Sequence, residues 1–368
     1  MRHVEKNVYA SAFVPELDVL CHHFPSGHCV YLYHALGKGF FREHGICASF
    51  TRTNHSPKVI AGLAQDIHKI GTATAAEVIL ATARFASSGA DPKRFPVKIL
   101  YQADQNYTSA FYSLTDRCRQ ELGLERCGKD IASPQDLIGK VVRLGGGTPA
   151  VLFDLLVRRC GLAGLVNPSV EKYGRLADKI NLSQIEEFSV KDYCRMLIEG
   201  RLDAYSKPTF GHGQFLGRAK TTDPGLRYTA FSTRDLGLPG IYGVGIVGRM
   251  DFVEEHPEWV KGFLRAVDKA MKECVGDPWF GVQVMNEMRG LGPEYDAIER
   301  IKAEIVVGKR PEITGAGGFF ASRDTEKYGY GCIRTERLQA LIDMLDEAGL
   351  LAARIRPSDV FLELEWRS

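Results

Sequence analysis

Residues 21–46 read CHHFPSGHCVYLYHALGKGFFREHGI. Their first residues close ELDVLCHHF (16–24), an apolar stretch of the length of a buried strand. Pro25, Ser26 and Gly27 then interrupt it. Beyond the break, apolar side chains recur at Val30, Tyr33, Leu36 and Phe40, the spacing of one helix face, until Gly45 ends the pattern. The stretch therefore predicts strand, turn and helix over 16–44, and 46–51 reads as a second short strand.

The same order repeats outward. Residues 56–65 predict a helix, with Ser56 as its cap and Pro57 at the first helical position. Strand 67–71, helix 72–89 and strand 97–102 follow. After a polar stretch at 104–106 the rhythm restarts with a short helix, strand 140–144, a glycine turn and helix 149–160. A strand near 181–187, a helix ending at Gly200, and strands at 202–205 and 226–232 complete that part. GIYGVGIVGR (240–249) leads back, and one amphipathic helix over 251–278 places Phe252, Val260, Phe263, Leu264, Val267 and Met271 on one face. Alternating strands and helices of this kind predict an α/β fold with parallel sheets under covering helices. Two such units joined by two crossings give two lobes with a ligand cleft between them. Residues 1–102 with 245–368 form the first, and 107–240 form the second, inserted lobe.

Composition narrows the function classes. Among 368 residues, 47 basic and 45 acidic side chains leave a net charge of +2, without a basic run to grip a phosphate backbone. Nucleic acid is not an expected partner. No apolar window approaches 18 residues, so no membrane insertion is expected. The N-terminus carries Glu5, Glu16 and Asp18 and lacks the apolar core of a secretory signal. Nine cysteines, an odd number at irregular spacing, read as reduced thiols. Together these features predict a cytoplasmic protein.

Ligands of open α/β sheets sit beyond the carboxyl ends of strands, where helix N-termini present amides. Four turns have that character: 25–28, 71–74, 145–148 and 206–212. They nominate Thr72, Thr74, Gly146, Gly147, Thr148, Lys207 and His212 for a small anionic or aromatic ligand, with Tyr242 on the returning segment. LGGGTPA (144–150) also matches G-x-G-x-x-A. Pro149 removes an amide a pyrophosphate would need, and Glu171 does not fall at a strand end, so a dinucleotide is not assigned.

Cys21, His22, His23, His28 and Cys29 fit no common zinc spacing, and neither a metal nor a cofactor is assigned. Ser26, His28 and Cys29 near a helix start, with His23 beside them, suit a nucleophile and its base. Packing and capping explain the same residues equally well.

YHALGKGFFREHGI (33–46) resembles the A-x-x-x-G-[FY]-F-[KR]-E-x-G-[IL] segment of the type II periplasmic solute-binding proteins, in the branch that binds sulfonates, nitrate and thiamine precursors. DLIGKVVRLGGGTPAVLFDLLVRRCGL (136–162), LIEGRLDAY (197–205) and DFVEEHPEWVKGFLRAVDKA (251–270) are similar to three further segments of that branch, in the same order. The resemblance spans roughly 15–280 and implies the two-lobed type II fold. It also brings cytosolic enzymes built on that fold. The pyrimidine-precursor synthase needs a lysine where this chain has Gly71–Thr74, and cysteines where it has 238–242. The aromatic sulfinate desulfinase has its nucleophilic cysteine at a position matching Ser26, with Cys29 three residues on. On these grounds the chain is expected to be a cytosolic lyase or hydrolase, cleaving a C–S or C–C bond of a small anionic or aromatic substrate. The alternative is the substrate-binding protein of an ABC importer, where a permease would be the partner.

Overall fold

A computed structural model describes residues 16–22, 26–53, 56–125, 128–145, 148–184, 193–290, 292–314 and 318–366. Two mixed sheets carry the molecule. The first has the order β2-β1-β3-β11-β4, built from β1 (Glu16–His22), β2 (Cys47–Thr53), β3 (Ile70–Thr74), β4 (Val97–Tyr101) and β11 (Val244–Arg249). The second has the order β10-β5-β9-β6-β8-β7, from β5 (Ser109–Leu114), β6 (Val141–Leu144), β7 (Val166–Asn167), β8 (Ile180–Ser183), β9 (Ala204–Pro208) and β10 (Tyr228–Ser232).

Strands joined through helices run parallel, as right-handed crossovers require: β1 with β2 and β3, and β7, β8, β6 and β9 in series. The strand that follows each crossing between sheets runs against its neighbours. Thus β5 is antiparallel to β9 and β10, and β11 is antiparallel to β3 and β4. This is the architecture of the type II periplasmic-binding-protein fold.

The two crossings pair with each other. Tyr107 and Ile241 exchange backbone hydrogen bonds of 2.8 and 3.1 Å, and Asp104 N–H donates to the Val244 carbonyl at 2.9 Å. They form a short antiparallel ribbon, the one place where both chains pass between the sheets. Gly243 makes the close approach feasible, because a Cβ there would lie 2.5 Å from the Tyr107 ring and 2.7 Å from Asp104 Oδ2.

Several elements differ from the sequence reading for identifiable reasons. The first helix is shorter: α1 (Val30–Lys38) ends where Gly39 turns left-handed at φ 74°, and Phe40–Glu43 forms a separate turn. The helix expected from residue 72 begins at Ala75, as α2 (Ala75–Ser87). Ile70, Thr72 and Thr74 instead belong to β3, buried between β1 and β11. A central position in the sheet outweighs the local turn signal there. SAFYSL (109–114), to which the sequence reading assigned no element, is the fully buried β5.

In the second sheet, α3 (Thr148–Arg159) follows β6, and α4 (His212–Thr221) follows β9. The single long helix expected over 251–278 is two, Met250–Glu255 and α5 (Pro257–Gly276). Pro257 clashes with an αR conformation at the preceding residue, and His256 sits at φ −131°, ψ 51°. The predicted stripe of Val260, Phe263, Leu264, Val267 and Met271 is fully buried on α5. Three further helices begin at proline or threonine: α6 (Pro278–Arg289), α7 (Pro293–Val306) and α8 (Thr335–Glu347). No helix of the described residues is long and apolar enough to cross a membrane.

Candidate ligand site between the lobes

The loops after β1, β3 and β9 meet the two crossing segments, and the turn after β6 lies against the end of β9. The 3-10 turn Gly27–Cys29 after β1 contributes His28, whose ring stacks on Phe210 at 4.7 Å between centroids. Phe210 belongs to the turn Thr209–Gly211 after β9, so this stack joins one lobe to the other.

His28 Nε2 lies 2.7 Å from Asp104 Oδ2 on the ribbon, with both side chains buried. The same carboxylate oxygen accepts the Val244 amide at 3.0 Å. One acidic side chain thereby ties the first strand–helix turn to both crossings. Asp104 Oδ1 is buried and has no hydrogen-bond partner among the described residues.

The nucleophile candidates are placed for packing. Ser26 Oγ accepts the His28 backbone N–H at 3.4 Å, a capping contact. Burial is the largest influence on Cys29, and with Asp104 and Glu299 nearby it pushes the thiol far above its ordinary value. A neutral thiol is a poor nucleophile. Cys21, facing the Thr72 hydroxyl, is pushed up in the same way by burial. His23 lies outside the described residues.

Of the nominated binding residues on the first lobe, Thr74 donates its hydroxyl to Glu77 Oε2 at 3.0 Å, and its backbone N–H points to Ser56 Oγ at 3.4 Å. Burial raises the Glu77 carboxyl while Ser56 and Thr74 oppose the shift. Tyr242 is held by the C-terminal part of the chain. Its hydroxyl accepts the Arg334 amide at 2.8 Å, the Arg337 guanidinium lies 4.4 Å over its ring, and burial leads its rise to about 12.

On the second lobe the nominated residues separate. Lys207 and His212 lie on the face of the sheet that carries Tyr205. The Lys207 ammonium is over the Tyr193 ring at 5.4 Å, and His212 Nδ1 pairs with the Tyr228 hydroxyl at 2.7 Å. Side chains alternate along β9, so Ser206 points the other way. That side belongs to the turn after β6, where the Gly145 amide donates to the Ser206 carbonyl at 2.8 Å. Thr148 Oγ1 and Ser206 Oγ are both buried there, at 1% and 0% residue exposure, and neither has a hydrogen-bond partner among the described residues. Thr148 opens the twelve-residue α3, whose first-turn amides have no partner within the helix. Gly146 and Gly147 lie outside the described residues. The signal for Ser206 was present in its position at the end of an apolar strand, but sequence reading chose its neighbour Lys207 for its charge.

Among the described residues, no group of three or more His, Cys, Asp and Glu side chains converges as a metal site. A separate cavity of about 630 Å3 lies on the first lobe, between Leu100 of β4 and the segment carrying Phe361, Leu364 and Trp366. None of its lining residues comes from the second sheet.

The family model described as NMT1/THI5-like matches residues 27–279, well over half of the chain. The chain belongs to the NMT1/THI5-like family. Solved structures repeat the fold across nearly the whole molecule. A Candida albicans gene product described as having the generic periplasmic binding protein fold matches with a TM-score of 0.58 at 15% identity, covering 95% of this chain and 98% of that one. The alkanesulfonate-binding protein of Xanthomonas axonopodis pv. citri, bound to MOPS, matches with a TM-score of 0.58 at 13% identity over 95% and 98%. The periplasmic aliphatic sulphonate binding protein of Escherichia coli matches with 0.58 at 12% over 95% and 92%. No curated protein matches the chain by sequence.

These relatives overturn the expectation of a bond-cleaving enzyme. Solved structures built like this chain include two sulfonate-binding proteins.

Proposed function

We propose that the protein is a solute-binding protein that takes a small organic anion, of the sulfonate class, between its lobes and hands it to an ABC permease. The observation that carries this reading is the pair of buried hydroxyls at Thr148 and Ser206, without a partner among the described residues, near the N-terminus of α3. Buried polar atoms are ordinarily satisfied, and a sulfonate offers three acceptor oxygens to two hydroxyl donors and the first-turn amides. Two sulfonate-binding proteins of this fold, one of them bound to MOPS, support the ligand class. Phe210 and Tyr107 supply the apolar walls for the organic part of the ligand.

The test is calorimetric titration and thermal unfolding with MOPS, ethanesulfonate, nitrate and a pyrimidine phosphate. At a hundredfold excess over Kd, a ligand bound only by the folded state adds about 2.7 kcal/mol to stability. Thr148→Val and Ser206→Ala should each weaken sulfonate binding about tenfold, roughly 1.4 kcal/mol, with the fold intact. No stabilisation by any of the four compounds, or conversion of one of them on incubation, would sink the reading.

A further inference from the structure

Beyond residue 279, where the family match ends, α7 lies against both lobes. Toward the first, Glu299 Oε2 accepts the Gly27 amide at 2.5 Å, at the turn after β1. Glu299 Oε1 also accepts from Lys302 Nζ at 2.6 Å, so this carboxylate is buried yet paired on both oxygens. Toward the second, α7 packs on α4 at two glycines. A Cβ at Gly213 would lie 2.7 Å from Lys302 Cγ, and one at Gly217 would lie 2.5 Å from Ile298 Cγ1. Glycine at both sites lets the helix backbones approach.

The chain after α7 returns to the same place. Phe319 is fully buried, with its amide on the Val306 carbonyl at 2.8 Å. Its carbonyl accepts from Gln105 at 2.6 Å and Asn106 at 3.2 Å, both on the ribbon. Its ring meets Tyr107 at 5.7 Å, Phe210 at 5.9 Å and His28 at 6.2 Å. Helix and loop therefore touch the first-lobe turn, the second-lobe turn and the ribbon together.

We propose that α7 and the Phe319 loop form an intramolecular strap, in which Glu299 takes the anion position at the Gly27 turn and Phe319 packs against both rings of the His28–Phe210 stack, so that ligand reaches the cleft only when the strap is displaced. A carboxylate on a turn amide is the contact that a ligand's own anionic group would make. With that position taken by Glu299, the anionic group of a ligand is left to Thr148 and Ser206 on the other lobe. The gating of ligand rests on the binding reading above, whereas the strap itself does not.

The experiment compares the wild-type protein with Phe319→Ala and Glu299→Gln. Hydrogen exchange is followed at the Gly27–Cys29 turn, with β4 as the internal reference, and MOPS binding is followed by stopped flow. Exchange at the turn should rise at least tenfold in each variant while β4 keeps its protection, and MOPS should associate at least tenfold faster. Unchanged exchange in both variants overturns the strap. If Phe319→Ala also loses β4 protection, it has unfolded, and the near-isosteric Glu299→Gln decides alone. If MOPS binds none of the three proteins, the sulfonate reading fails and the exchange data still judge the strap. Faster exchange with unchanged association would overturn the gating.

Discussion

His212 shows how a residue chosen for one chemistry can serve another. The sequence reading placed it over a ligand, whereas its Nδ1 pairs with Tyr228 and its ring meets Tyr112 edge-on. Burial lowers its pKa to about 4, against an ordinary 6.5. The unfolded chain therefore binds more protons than the native one between those values, and stability rises with pH across that window. Falling from pH 7 to 4 should cost about 3 kcal/mol through this side chain, at 1.36 kcal/mol per unit. His212→Gln, which cannot charge, should flatten the slope of melting temperature against pH between 4 and 6.5. Parallel slopes in the two proteins would show that the ring is not held neutral. Tyr242 carries the same lesson: it was legible as a polar residue near a strand, but the Arg334 amide that its hydroxyl accepts lies 92 residues further on.

At the level of elements, the ribbon and α5 make opposite demands on sequence. The stripe on α5 was legible because helical periodicity is local, and Phe263 at its centre stacks on Phe41 at 5.2 Å and 17°. Phe263→Ala should cost about 3–5 kcal/mol, read from urea unfolding. A loss under 1 kcal/mol would mean that the site collapses around the gap. The ribbon was not legible, since Asp104 and Val244 are paired only because two distant crossings run side by side. Gly243→Ala would press a methyl against Tyr107 and Asp104 and should cost about 2 kcal/mol as overpacking. Unchanged stability would show that the ribbon yields at that point. The misplaced start of α2 has the same origin. A threonine-rich stretch reads locally as a helix start, but it becomes a strand when neighbours wait on both sides.

For the whole molecule, the cysteines give a direct check. The described ones are all unbridged, and only Cys47 among them is exposed, with Cys160 half-buried. Among the described cysteines Cys47 should react fastest with a thiol reagent in the native protein, a fast phase that Cys47→Ser removes, and nine groups should react after denaturation without reductant. Fewer than nine would reveal a disulfide. The sequence alone determined the α/β class, the two-lobed fold and the family, because strand and helix signals and the motifs of residues 33–46 and 251–270 are carried by near neighbours in the chain. Tertiary structure alone decided which polar groups are satisfied. Ser206 and Thr148 have hydroxyls without a partner among the described residues, while burial pushes the Cys29 thiol up and Gly27 is met by a glutamate 272 residues away. A side chain's chemistry depends on what surrounds it, and those surroundings are assembled from residues that no local pattern connects.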